Sequence, residues 1–211
     1  SDTAGASLNI TGYNTEVGTL AGGGTTGGNV VLGAAMLTVG DSSSTSFGGV
    51  ISGTGGITKT GSGTLTLSGV NTFDGVATIS QGKLATTSTG RLANAAKVAS
   101  PGTFALGADD EIASLQEDTG SVGNVVLTGT LRVGGNGSSS FSGVISGVGG
   151  LTKAGTGTWT LSGNNTYSGP TRVVSGTLSV SSLGNIGTGT SNLGQPTAGT
   201  DRLSVEGGVL Q

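Results

Sequence analysis

Apolar and polar residues alternate along this chain in short bursts. Thr64-Leu65-Thr66-Leu67 has that form, as do Thr158-Trp159-Thr160-Leu161, Ala77-Thr78-Ile79-Ser80 and Thr171-Arg172-Val173-Val174. A period of two belongs to a β-strand, in which every second residue faces the same side. Matched segments sort the two sides. Leu65, Leu67, Trp159 and Leu161 form one apolar set. Ile79 and Val173 stay aliphatic, whereas Thr78 is replaced by Arg172 and Ser80 by Val174. Ile79 and Val173 are therefore expected inside, with Arg172 and Val174 outside. Only Arg91-Leu92-Ala93-Asn94-Ala95-Ala96-Lys97 has a helical flavour, and it is too short to stand alone.

The bursts repeat over a long period. Phe47-Gly48-Gly49-Val50-Ile51-Ser52-Gly53 returns as Phe141-Ser142-Gly143-Val144-Ile145-Ser146-Gly147, 94 residues later. Gly56-Ile57-Thr58-Lys59 returns at the same offset as Gly150-Leu151-Thr152-Lys153, and Asn71-Thr72-Phe73-Asp74-Gly75 as Asn165-Thr166-Tyr167-Ser168-Gly169. Upstream, Asn29-Val30-Val31-Leu32 matches Asn124-Val125-Val126-Leu127 at 95. The blocks run roughly over 8–102 and 103–200, and a third begins at 201–211, where Leu203-Ser204-Val205 loosely answers Val98-Ala99-Ser100. We therefore treat residues 1–211 as a single unit, expected to be a piece of a longer solenoid whose targeting segments lie elsewhere.

One block holds too many strands for a single turn. Strands of three to five residues joined by glycine corners suit a parallel β-helix, with strands stacked about 4.8 Å apart. The expectation is an all-β, right-handed parallel β-helix of roughly 20 to 25 residues per coil and about nine coils, making a rod of about 40 to 45 Å. Asn-Thr pairs suit the corners, where Asn hydrogen-bonds locally and tolerates left-handed backbone.

Composition narrows the function. Of 211 residues 45 are Gly and 9% are charged, and His and Cys are absent. This excludes His-dependent triads, thiol chemistry, disulfides and imidazole or thiolate metal sites. A net charge of −3 with eight scattered Lys and Arg argues against nucleic acid as a partner. Collagen would need Gly at every third position and abundant Pro, but the chain has three prolines. No apolar run approaches the ~18 residues of a membrane-spanning helix.

The run from Gly53 to Phe73 contains Gly56-Ile57-Thr58-Lys59, Gly61-Ser62-Gly63-Thr64 and Asn71-Thr72-Phe73, and its second copy runs from Gly147 to Gly169. It closely resembles the passenger-associated transport repeat of bacterial autotransporters, and the Gly-rich segments between resemble the rest of such passengers. The resemblance implies a right-handed β-helical passenger exported across the outer membrane of a Gram-negative bacterium by a C-terminal barrel of the same precursor. It implies a secreted or cell-surface location and a role as the stalk of an adhesin or virulence factor. A host-cell or self-association surface is a further partner to expect, and an enzymatic activity is not.

Several residue groups invite a sharper reading. Gly22-Gly23-Gly24-Thr25-Thr26-Gly27 spells a dinucleotide fingerprint, but the strand-like Asn29-Val30-Val31-Leu32 follows where a helix is needed, so it is read as a corner. Asp109-Asp110-Glu111, with Glu117 and Asp118, is the one acidic cluster. It could serve calcium or sugar cleavage, but no periodic Asp recurs, and it is read as a solvated turn. The Thr64-Leu65-Thr66 and Thr158-Trp159-Thr160 pairs have the spelling of an ice-binding face but lie about four coils apart. Lys59 and Lys153 recur at one position and are read as corner charges that keep the rod soluble. Trp159 stands where the first copy has Leu65, so it is expected in the core. No catalytic, cofactor-binding or metal-ligating residue is assigned, and no cofactor is expected. A carbohydrate-acting β-helix enzyme, which would need acids and an Arg gathered on one face, and a flat binding surface are the alternatives.

Overall fold

Short strands with one apolar face cannot bury it alone. In the computed structural model they do so by coiling. The structure describes residues 3–24, 26–40, 42–87, 92, 95–98, 102–117, 122–183, 191–195 and 203–211. Among these, all regular structure is β, in strands of two to four residues, and every strand pairs in parallel with its neighbours. The expected parallel solenoid is thus what the chain forms. Ala95–Val98, in the stretch with helical flavour, is a strand between Val76–Ile79 and Ser114–Glu117. Stacking against neighbouring coils overrides a weak local preference. The remainder of that stretch, apart from Leu92, lies outside the described residues.

In the first part of the chain a turn visits three sheets. Ile51–Gly53, Ile57–Thr60 and Thr64–Leu67 lie in three different sheets, and the next turn returns to them with Thr72–Phe73, Val76–Ile79 and Lys83–Thr86. Paired residues are 19 apart at Leu65 and Leu84, 20 apart at Leu37 and Ile57, and 22 apart at Ser7 and Asn29. These turns sit at the short end of the expected range because glycine lets the corners close within a few residues. One turn is longer: Thr171 pairs with Leu203, 32 residues on.

A repeat of 94 residues is not a whole number of such turns. At about 20 residues each it is close to four and two-thirds. The second copy therefore enters the solenoid one face out of step. Ile51–Gly53 pairs with Asn29–Val31 in one sheet, while its counterpart Val144–Gly147 shares a sheet with Thr64–Leu67. Equivalent sequences thus point in different directions. The Thr64/Thr66 and Thr158/Thr160 pairs accordingly lie in separate sheets and do not build one surface.

The interior consists of ladders. Leu65, Leu84, Phe104, Val125 and Ile145 stack in register, and all five are buried. Leu131 and Leu151 stack likewise on another face, while Trp159 and Leu178 stack on a third. Each such side chain contributes roughly 1.5–3 kcal/mol on burial. Leu65, Leu67, Ile79, Trp159, Leu161 and Val173 are inside as the alternation requires, and Arg172 is outside. Trp159 fills the core, but its Nε1–H has no acceptor among the described residues.

Buried Asn71 and Asn165 stitch coils together. Asn71 Oδ1 accepts the Ile51 N–H at 3.0 Å, and Asn165 Oδ1 accepts the Ile145 N–H at 2.8 Å. Both bonds cross to the preceding coil, whereas the sequence suggested purely local turn bonds. A local bond is retained by Asn71, whose Nδ2 donates to Gly69 O at 3.2 Å.

Gly147 turns its corner at φ +104°, and a Cβ there would sit 2.1 Å from the carbonyl oxygen of Leu127. Its counterpart Gly53 has φ +122°, with Gly33 O at 2.6 Å from the same point. At Gly137 nothing lies within 4 Å. Gly147→Ala is expected to lower stability by about 1–3 kcal/mol or more, and Gly137→Ala to stay within about 0.5 kcal/mol of the parent. Urea denaturation midpoints of the two variants test this.

Candidate functional site

Lys59 and Lys153 are not at the surface. Each follows an inward residue and an outward one, in Ile57-Thr58-Lys59 and Leu151-Thr152-Lys153, so alternation points both inward. They are 3% and 2% exposed. Lys59 stacks between Val39 and Ile79, and Lys153 between Val133 and Val173. The expectation of a solvated corner charge is therefore corrected. The ammonium reaches along the wall and serves as a donor for a glycine corner. Lys59 Nζ donates to the carbonyls of Thr60 and Gly61, the latter at 2.8 Å. Lys153 Nζ donates to Ala154 O, to Gly155 O at 3.0 Å and to Ser175 O in the next coil at 3.4 Å. Carbonyls left by the tight corner thereby find donors that backbone N–H groups do not reach. Burial lowers the pKa of Lys153 below the ordinary lysine value, and the charge of Arg132 lowers it further.

The acidic turn is only partly solvated. Asp110 is buried, accepting the Leu92 N–H at Oδ2 (2.8 Å) and the Glu111 N–H at Oδ1 (2.9 Å). Asp109 Oδ1 accepts the Thr130 N–H of the next coil at 2.7 Å. Glu117 accepts bonds from the N–H and hydroxyl of Ser142. Asp118 lies outside the described residues. Asp109 and Asp110 act as corner acceptors, the task that Asn14 and Asn29 perform elsewhere. Their role was hidden because a run of three acids reads as solvated in one dimension.

Glu111 belongs to a feature that the linear sequence conceals. On the outer side of the sheet built from Asp110–Ile112, Leu131–Val133, Leu151–Lys153, Thr171–Val173 and Leu203–Val205, successive rungs carry Glu111, Arg132, Thr152, Arg172 and Ser204 in register. Glu111 Oε2 lies 3.2 Å from Arg132 Nε. Glu206 Oε1 accepts from Arg172 Nε at 3.1 Å and from Nη2 at 2.6 Å. The bonds from Arg172 hold the Glu206 carboxyl below its usual pKa. Both pairs are half-exposed, a setting in which solvent screens an ion pair and leaves it little net stabilisation. Glu111, Arg132, Thr152, Arg172 and Glu206, together with Asp109, Asp110, Thr130 and Val174, line a groove of about 440 Å³. Sequence reading placed Arg172 outside but did not connect it with Arg132 or Glu206. The signal was available in the register of the three outward positions, once the turn length is known.

The groove gathers acids and arginines on one face, with Asp109, Asp110 and Glu111 toward one end and Glu206 beside Arg172 toward the other. Asp110 uses both carboxylate oxygens on backbone N–H groups, and Glu111 and Glu206 are paired with arginines. Among the described residues no three acidic side chains come together as a metal-holding group. Gly22 and Gly23 lie in left-handed corners, and a strand, Asn29–Val31, follows them.

Comparison with known proteins fits this architecture. The family model described as the passenger-associated-transport-repeat matches residues 57–85 and 151–180. Over 188 residues the chain is 39% identical to a curated protein named "Adhesin BmaC autotransporter", from Brucella suis biovar 1 (strain 1330). That alignment takes in 85% of this chain and 6% of the relative, so the chain spans a small part of that protein's length. No solved structure matches. The chain thus carries two copies of the passenger-associated transport repeat and is similar over most of its length to a small part of an autotransporter adhesin. Passengers of this kind are secreted or held at the surface of Gram-negative bacteria.

The two matched stretches each open with a buried-lysine strand and continue into the strand that stacks above it, Val76–Ile79 or Thr171–Val173. The repeat is thus a unit of interior wall and corner chemistry. Lys153→Ala leaves the Ala154 and Gly155 carbonyls short of a donor and opens a void, for an expected loss of about 2–4 kcal/mol at neutral pH. The pH dependence has a definite sign. The folded-state pKa is lowered, so the unfolded chain holds the extra proton as the pH approaches 10.5. Lys153 therefore favours folding more as pH rises through that window. The raised pKa of buried Tyr167 acts oppositely above 10 and is shared by both proteins. The stability gap between parent and Lys153→Ala should therefore widen with pH. Paired urea titrations at neutral and alkaline pH measure it, and a constant gap would contradict the assignment.

Proposed function

We propose that this segment forms the stalk of a cell-surface adhesin and promotes its own export through a translocator barrel in the same precursor. The observation that carries the reading is the parallel stacking of the described coils, with a copy of the transport repeat in each half of the chain. A name containing "adhesin" on the 39% identical relative supports the adhesive role. A non-enzymatic role is supported by the carboxylates, which are occupied as corner acceptors or paired with arginine.

Export and folding are coupled in this reading. A coil that has stacked outside cannot slide back through the barrel without breaking its backbone bonds and re-exposing its ladder residues. Each added coil stacks on the one before, and stability accumulates by nearest-neighbour contact. The host-facing surface would lie on this rod or at its tip.

Leu67 and Leu161 are fully buried at equivalent positions of the two copies. Leu67→Asp and Leu161→Asp each put an unpaired charge in the core, at an expected cost of several kcal/mol. With the segment fused to an autotransporter barrel, both variants should lose protease-accessible display on intact cells in step with their loss of β-structure in the purified chain. Display at parental levels by a variant whose solenoid has melted would overturn the coupling.

A further inference from the structure

We infer that the groove over Glu111, Arg132, Thr152, Arg172 and Glu206 is a binding site for a neutral oligosaccharide. This goes beyond the stalk reading and does not rest on it.

The first ground is unused hydrogen-bonding capacity. A guanidinium carries five N–H donors. Arg132 turns only its Nε toward Glu111, and Arg172 uses Nε and Nη2 on a single oxygen of Glu206. Both Nη groups of Arg132, Nη1 of Arg172 and Oε2 of Glu206 have no protein partner among the described residues. The ion pairs hold these groups in place while leaving donors and acceptors open to the groove. Thr152, 8% exposed, forms the floor between the two arginines. A sugar hydroxyl both donates and accepts, so a row of hydroxyls matches a stripe whose two central arginine donors are flanked by the carboxylate acceptors of Glu111 and Glu206. The rungs repeat at ~4.8 Å, about one sugar ring along a chain. Val174 offers an apolar contact for a ring face.

The second ground is charge. Four carboxylates and two guanidiniums line the groove, with the ammonium of Lys153 behind the sheet. The acids repel a polyanion, and the guanidiniums in the centre repel a cation. A neutral polyhydroxylated ligand meets neither penalty.

The third ground is a control inside the chain. The same outward positions in the first copy are Glu16, Thr38, Thr58 and Thr78, stacked in the same register. The strands therefore form equally well with Thr in place of both arginines. Arg132 and Arg172 are not required for stacking, yet both differ from the first copy on one stripe, together with the Glu206 that orients one of them.

That control supplies the test. Arg132→Thr/Arg172→Thr restores the first-copy residues and should keep the parental melting temperature within a few degrees. The 211-residue chain is screened on an array of neutral and uronic-acid oligosaccharides, and binding of any retained sugar is measured by calorimetry. The expected result is retention of a neutral oligosaccharide, weakened roughly tenfold or more by the double substitution and unchanged by Thr38→Ala. Retention of no sugar, retention of uronates alone, or equal binding by the double variant would each overturn the site. None of these results bears on barrel-dependent display, so the stalk reading stands or falls separately.

Discussion

Every feature of this solenoid depends on vertical registry between coils. The strands are too short to hold one another laterally, and each has both backbone edges open until a coil lies above and below it. Parallel pairing at about one turn's separation satisfies those edges and, in the same step, places each inward side chain on its counterpart. Leu65, Leu84, Phe104, Val125 and Ile145 form one column for that reason. A turn that gains a residue within a strand would reverse its alternation and break the column. Turn length is accordingly held near 20, and the extra residues of the one long turn fall between strands, after Val180 and before Leu203.

Registry also dictates where polar groups enter the interior. Tight corners leave carbonyls and N–H groups that the ladder cannot pair. Buried side chains take over: Lys59 and Lys153 as donors, Asn71, Asn165 and Asp110 as acceptors. An ammonium in a wall of aliphatics is tolerable only with several carbonyls around it. The repeat motif is best understood as a specification of these corners. Its lysine and asparagine are structural in origin, although they look like surface residues.

The outward positions are free of this constraint. Thr38, Thr58 and Thr78 in the first copy correspond to Arg132, Thr152 and Arg172 in the second, on strands with the same inward pattern. A solenoid can change its surface chemistry one stripe at a time while its core stays the same. Such separation suits the proposed stalk, which would be exported as a rod and also present something at the cell surface.

Much of this was legible in the residues themselves. Alternation located the strands and sorted Leu65, Leu67, Trp159 and Val173 inward and Arg172 outward, because side-chain direction in a strand is a local property. The motif spacing pointed to the family. Lys59 and Lys153 were misread although their alternation was correct: a general preference for solvated charge was set above the local pattern, and only the carbonyls brought around Nζ by the corner show why the pattern wins. The sheet to which a strand belongs was beyond reach. It depends on the summed length of all preceding turns, and because 94 residues make about four and two-thirds turns of 20, the second copy is rotated by a whole face. Only the tertiary structure could therefore bring Glu111, Arg132, Arg172 and Glu206 to one groove and separate the two Thr pairs.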